Sequence, residues 1–313
     1  MTKLSIVATM YQSQGYVKEF YARAKSTLEK ISVNSYEFVL VDDGSPDQSL
    51  QEAIALHRID SNVKVVQLSR NFGHHKAMMT GLAHACGELT FLIDIDLEEE
   101  PEELERFWTE FHKEENKEVD VIYGVQDRRK GGWFERWSGA IFYWVFNAMS
   151  ERPIPQNLIT SRLMSCAYKE ALLRHKDRAL YIFGLVMLVG FNQRPLICHK
   201  KNSSTSTYNL GRKISLAVNS VTSFSAKPLH YIFYLGFLIS ISAFIFIIYV
   251  LMNKLFFGAP ISGWTSLIIS IYMLGGMVLA SLGALGIYIA KIFDEVKDRP
   301  YTIVREIYEK KKD

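Results

Sequence analysis

Cysteine is scarce in this 313-residue chain, and the three present, Cys86, Cys166 and Cys198, match neither a disulfide framework nor a zinc-type spacing. An odd, dispersed set reads as free, buried thiols in a reducing compartment. An excess of one charge is also lacking. Lys and Arg total 36 against 33 Asp and Glu, a net charge of +3, and no nucleic-acid partner is expected. No internal repeat or long low-complexity tract appears. Nor is a leader peptide visible: Met1-Thr2-Lys3 runs straight into a short apolar stretch, so any membrane insertion is expected to rest on internal segments.

What the chain does have is two charge-free apolar runs, 231–251 and 267–290. Each is long enough to cross a hydrocarbon core of about 30 Å as a helix. Lys200, Lys201, Arg212, Lys213 and Lys227 precede the first run. Lys291, Lys297, Arg299, Arg305 and Lys310 to Lys312 follow the second, and the connecting loop holds only Lys254. The positive-inside rule then puts both ends on the cytoplasmic side of the inner (plasma) membrane. Tyr231, Tyr249, Trp264 and Tyr288 lie near span ends, as interfacial anchors do. Gly276, Ala280 and Ala284 form a small-residue stripe that could pack the spans together or join subunits in a homo-oligomer. The expected divisions are a cytoplasmic domain over 1–210, a juxtamembrane amphipathic helix over 211–230, spans at 231–251 and 267–290 around an external loop 252–266, and a cytoplasmic basic tail over 291–313.

The first two-thirds of the chain alternates in period. Strands are expected at 4–8, 38–41, 63–68, 89–93 and 119–125, with helices at 16–31, 49–57 and 75–85. Such alternation implies an α/β fold built on a parallel, twisted sheet with helices on both faces. Ligands then collect at the carboxyl ends of the strands. Two acidic clusters, Asp42-Asp43 and Asp94-Ile95-Asp96, fall at such ends. An aromatic segment, 133–149, reads as lying under the domain or along a bilayer, and 214–224 as an amphipathic helix beside the membrane.

Asp94 and Asp96 suit a hard ion, Mg²⁺ or Mn²⁺, which takes carboxylate oxygens and keeps positions open for phosphates. Glu98, two residues further on, could reach the same ion, whereas the acids around Pro101 read as first-turn helix residues. Asp42 and Asp43 could accept from a ribose hydroxyl or a base imide, and Tyr11 offers a flat face for a base. A turn-forming Asp pair and a half-buried Tyr are the plainer alternatives. Arg70, Arg128 and Arg129 carry the fork that suits phosphate oxygens. His74 and His75 are adjacent, so their rings point apart, and a two-His metal site is not expected.

Val41-Asp42-Asp43-Gly44-Ser45, Leu68-Ser69-Arg70-Asn71-Phe72-Gly73-His74 and Asp94-Ile95-Asp96-Leu97 resemble the family 2 inverting glycosyltransferases. Within that family the chain is similar to the polyprenyl-phosphate glycosyltransferases, such as bactoprenol glucosyltransferases and dolichyl-phosphate mannose synthases. Arg162-Leu163-Met164, Thr222-Ser223-Phe224-Ser225, Gly263-Trp264-Thr265-Ser266-Leu267 and Glu295-Val296-Lys297-Asp298-Arg299-Pro300 extend the likeness over nearly the whole chain. The resemblance implies a GT-A head with a mixed, mostly parallel sheet, a nucleoside-diphosphate sugar donor and a polyprenyl-phosphate acceptor. Tyr11 and Asp43 would hold the nucleoside, Asp94 and Asp96 the metal-bound diphosphate, and Glu98 stands where a Gln is frequent.

Four segments depart from the family pattern: Tyr11-Gln12-Ser13 for Tyr-Asn-Glu, Gln126 for Arg, Thr160-Ser161-Arg162-Leu163-Met164 for Asp-Phe-Arg-Leu-Met, and Ser204-Thr205-Ser206-Thr207-Tyr208 for Gly-x-Ser-Lys-Tyr. A sugar hydroxyl needs a general base before it attacks. A lipid phosphate, with a second pKa of about 6, does not. The missing carboxylate at Thr160 therefore fits a phosphate acceptor, with direct displacement at C1 and Arg128, Arg162, Lys200 or Lys201 steering the lipid phosphate. Transfer to a lipid-linked sugar hydroxyl, or a silent nucleotide-sugar-binding scaffold, are the competing readings.

Overall fold

The computed structural model describes residues 2–126, 157–177, 182–198, 222, 226–257 and 263–310. Arg128, Arg129, Lys200 and Lys201, the segment 133–149 and nearly all of 214–224 lie outside the described residues. The chain divides into two units: residues 1–143, 154–208 and 299–313 form one, and residues 144–153 and 209–298 the other.

The first unit is built on one eight-stranded sheet in the order β7-β5-β6-β4-β1-β2-β3-β8. The strands are β1 (Leu4–Met10), β2 (Tyr36–Asp42), β3 (Val63–Leu68), β4 (Leu89–Asp94), β5 (Val121–Gln126), β6 (Leu158–Ser165), β7 (Gln193–Cys198) and β8 (Val304–Tyr308). β1 pairs in parallel with both β2 and β4, and β3 and β7 join in parallel; β6 and β8 enter antiparallel. The fold is thus an α/β, GT-A-like arrangement with a mixed, mostly parallel sheet.

Side-chain alternation explains how both faces are buried. Ile6, Ala8, Phe38, Leu40, Phe91 and Ile93 face one cluster, joined by Phe20 and Leu28 of α1 (Val17–Lys30) and Phe107 of α4 (Glu103–Phe111). Val7, Val39, Val41 and Leu92 face the other, joined by Met78 and Leu82 of α3 (His74–Ala83), Tyr168 of α5 (Cys166–Leu173) and Leu185 of α6 (Ile182–Leu188). The helix α2 (Ser49–Ile59) returns the chain from β2 to β3. A Cβ on Gly81 would lie 2.5 Å from Val7 Cγ1 and 2.9 Å from Val41 Cγ2, so glycine lets α3 press onto β1 and β2.

The stretch expected as a basic tail, 291–313, contains β8, which pairs antiparallel with β3 through Val65–Tyr308, Val66–Ile307, Gln67–Glu306 and Leu68–Val304. Val304, Ile307 and Tyr308, β-branched or aromatic residues among charges, are the strand signal within it. Lys64 bridges to Glu309 at 3.4 Å.

The second unit contains α7 (Lys227–Phe257, 31 residues) and α8 (Trp264–Val296, 33 residues). At 1.5 Å per residue they measure about 46 and 50 Å, more than a hydrocarbon core requires. Both are long and apolar enough to cross a membrane. Phe233, Leu238, Phe244, Leu279 and Ile289 are exposed along them. Ser240, Ser242 and Ser281 return their hydroxyls to carbonyls four residues back, which leaves no bare polar group at those positions. A Cβ on Gly276 of the small-residue stripe would meet no atom within 4 Å.

Candidate active site

The sheet reverses direction of growth between β1 and β4, and such a switch point opens a crevice at the carboxyl ends of the strands. Tyr11, Asp42, Asp43 and Asp94 all stand there, at or just beyond the ends of β1, β2 and β4. Tyr11 is 47% exposed and offers a ring face to solvent. Its backbone N–H donates to Ser13 Oγ at 3.2 Å, and the Ser13 N–H donates to Ser49 Oγ of α2 at 2.7 Å. Gln12 between them has φ of 55°.

Asp42 and Asp43 are both buried. Asp42 Oδ1 accepts from the Ser45 N–H at 3.3 Å, and Asp43 accepts from the Phe72 and Gly73 N–H groups at 2.7 and 3.0 Å. Burial raises both carboxyls above the ordinary Asp value, and these hydrogen bonds partly offset it. Asp43 thus ties the loop entering α3 to the end of β2. Gly44 makes that approach possible. Its φ is +67°, and a Cβ there would lie 2.5 Å from the Arg70 carbonyl carbon. Arg70 is exposed, with its guanidinium 4.2 Å from the Phe72 ring centroid.

Asp94 is the centre of a network drawn from three elements. Its Oδ1 meets His74 Nε2 at 3.1 Å, and its Oδ2 accepts the Thr160 hydroxyl at 2.8 Å. The other ring nitrogen of His74 lies 3.1 Å from Thr9 Oγ1, and Thr9 is the register partner of Asp94 across β1 and β4. Desolvation opposes protonation of the half-exposed His74 ring, but the bond to Asp94 and the charges of Asp94, Asp96 and Asp43 outweigh it and hold the imidazole above its usual value. Adjacent histidines gave no hint of this role: α3 begins at His74, which brings that ring over β4. Thr160, legible in the sequence only as a lost carboxylate, is a hydroxyl donor.

Asp96 Oδ1 accepts the Glu98 N–H at 3.0 Å, and Leu97 adopts φ of 59° to make the turn. Among the described residues no three His, Cys, Asp or Glu side chains converge on a metal-holding arrangement. Within the expected trio of Asp94, Asp96 and Glu98, Glu98 supplies its backbone N–H to Asp96. Two carboxylates still fit an ion that arrives with a diphosphate, since Mg²⁺ commonly takes one or two protein carboxylates and completes its shell with phosphates and water. Glu99, grouped in sequence with helix-start acids, is buried and accepts from the Thr160 and Ser161 N–H groups at 3.1 and 2.8 Å and from the Ser161 hydroxyl. It locks the start of β6 beside the acidic turn.

Arg162, expected to steer the lipid phosphate, lies within a strand. It is buried in β6, donating to the Thr160 and Ile159 carbonyls at 3.1 and 3.2 Å, with its guanidinium 5.8 Å from the Phe183 ring centroid. Burial lowers its pKa below the ordinary arginine value, and the nearby Tyr168, Glu99 and Asp94 work the other way.

Residues 5–181 match Glycosyl transferase family 2. A Mycobacterium tuberculosis (strain CDC 1551 / Oshkosh) protein that carries a glycosyltransferase name is 48% identical over 309 residues, covering 98% of this chain and 88% of the relative. A bactoprenol glucosyl transferase of Shigella phage SfII is 29% identical over 307 residues, covering 97% of this chain and 98% of that one. Among solved structures, mannosyl-3-phosphoglycerate synthase from Rubrobacter xylanophilus is similar with a TM-score of 0.47 and 15% identity, over 71% of this chain and 72% of that one. With a family match over more than half its length and a relative nearly half identical from end to end, the chain belongs to glycosyl transferase family 2.

Proposed function

We propose that this glycosyltransferase moves one sugar from a nucleoside-diphosphate sugar, a UDP-sugar, to a polyprenyl phosphate, undecaprenyl phosphate, with inversion at C1. The reaction takes place at the cytoplasmic face of the membrane and serves cell-surface polysaccharide synthesis or modification. The observation that carries this reading is that one sheet is built from both sides of the apolar helix pair. The chain leaves the head before α7 and re-enters it as β8 after α8. Helices that span must then cross an even number of times, and a hairpin keeps the head and β8 on one side. The full-length similarity to the phage bactoprenol glucosyl transferase, helices included, supports the lipid acceptor.

In the site, Tyr11 and the Asp42-Asp43 strand end receive the nucleoside, and the Arg70 loop flanks the phosphates. Asp96 with Asp94 would hold a Mg²⁺ or Mn²⁺ ion bound with the donor, which supplies charge neutralisation for the departing diphosphate. His74 and Thr160 fix the orientation of Asp94. Thr160, where the family motif has a carboxylate, contributes no general base, and a phosphate acceptor already carries its negative charge at neutral pH. Arg162 supports β6 from within. Lys200, Lys201 and Arg128 are the cations proposed for the lipid phosphate.

Purified full-length protein in lipid nanodiscs, given undecaprenyl phosphate and a panel of radiolabelled nucleotide-sugars, tests the reading. A single-sugar lipid phosphate is the expected product. Transfer only to a pre-glycosylated lipid, or donor binding without turnover, would overturn it. Membrane-impermeant maleimide on intact cells should label Lys254→Cys and spare Lys310→Cys; the reverse pattern removes the proposed topology.

A further inference from the structure

The chain returning from α8 does more than close the sheet. After β3 ends at Leu68, the Ser69 N–H donates to the Ile303 carbonyl at 2.9 Å. Thr302 Oγ1 lies 2.8 Å from Thr80 Oγ1 on α3. Thr80 already gives its proton to the Lys76 carbonyl at 2.9 Å, so Thr302 is the donor in that pair. Tyr301 and Val304 pack on the cluster that includes Leu68, Ala77 and Met78. Residues 301–304 therefore grip the end of β3 and the body of α3 at once.

Between those two points runs the Ser69–Arg70–Asn71–Phe72–Gly73 loop. Asp43 holds its far end through Phe72 and Gly73, and Gly44 admits Arg70 and Asn71 against the β2 end. Its near end has the Ser69 N–H on Ile303. We propose that Thr302 is a positioning residue for the donor site: the segment following the second apolar helix sets the Arg70–His74 loop, and hence the donor's affinity. The link to donor binding rests on the transferase reading above. It makes a segment contiguous with α8, and not the catalytic strands alone, a determinant of donor recognition.

Hydrogen exchange on the full-length protein tests the strap without requiring turnover. Thr302→Val should speed amide exchange across residues 69–77 roughly fivefold, the effect of one lost hydrogen bond on local opening. It should also raise KM for UDP-glucose by a similar factor with kcat little changed. Thr302→Ser should restore both. Thr80→Val removes the partner from the other side, and the double variant should be no worse than the worse single variant. Unchanged exchange over 69–77 in both single variants, or a fully additive double variant, would overturn the proposal, as would a loss of kcat with KM unmoved. Absence of sugar transfer by the unmodified protein would strike the transferase reading and leave the exchange result standing.

Discussion

Thr160 reaches across from β6 to donate its hydroxyl to Asp94 at the end of β4, on the oxygen opposite the one that faces His74. The carboxylate is held from both sides, so its direction is set before any donor arrives. Such preorganisation is what makes a charged group effective in a site.

Thr160→Val should lower kcat about tenfold and stability by about 1 kcal/mol, the usual worth of one buried hydrogen bond. Thr160→Ser should recover most of the activity. Steady-state kinetics with thermal melts on both variants would check this, and wild-type turnover in the valine variant would contradict it.

Asp96→Asn keeps an acceptor for the Glu98 N–H and removes only the charge. Turnover should fall about a hundredfold or more, as when a group stabilising developing charge is lost, with the melting temperature nearly unchanged. Titration of Mn²⁺ by electron paramagnetic resonance in the presence of UDP should show weakened binding in the same variant.

Arg162→Ala should act on folding. It would leave two carbonyl acceptors and the space beside Phe183 unfilled, at a cost of about 3–5 kcal/mol. Chemical denaturation is the measurement. A variant of native stability with a raised KM for the lipid phosphate alone would instead restore the acceptor-steering role.

Asp60 supplies a pH signature. Its carboxylate accepts from the Tyr21 hydroxyl at 2.6 Å and the Asn62 N–H at 2.9 Å, and Lys25 lies 3.3 Å away. Burial works against ionisation, but those partners outweigh it and hold the carboxyl below its ordinary value. The stabilisation is therefore full above the unfolded Asp value of about 3.9 and fades as pH falls through the depressed folded value. Asp60→Asn should cost about 1–2 kcal/mol at pH 7. The gap between variant and wild type should close in acid, which denaturant titrations at several pH values would reveal.

The parallel half of the sheet was legible because β1 to β4 carry apolar runs ending in turn residues or acids, and that ending also marked Asp42, Asp43 and Asp94. Beyond β5, expected at 119–125, the later strands β6, β7 and β8 were not. β6 mixes Thr160, Ser161 and Arg162 into a buried strand, because these polar groups are satisfied by Glu99, Asp94 and nearby carbonyls that lie close only after folding. His74 was passed over for the same reason, since its partners Thr9 and Asp94 are distant in sequence. β8 was hidden in a cation-rich stretch whose strand character depends on pairing with β3.

That late strand has a biosynthetic consequence. The ribosome releases residues 304–308 only after both oily helices have been made, so until then β3 is an open border of the nascent domain. Bare borders of this kind invite intermolecular pairing. A water-soluble version cut at residue 210 would keep that border for good, and appending the missing strand through a flexible linker is the direct remedy.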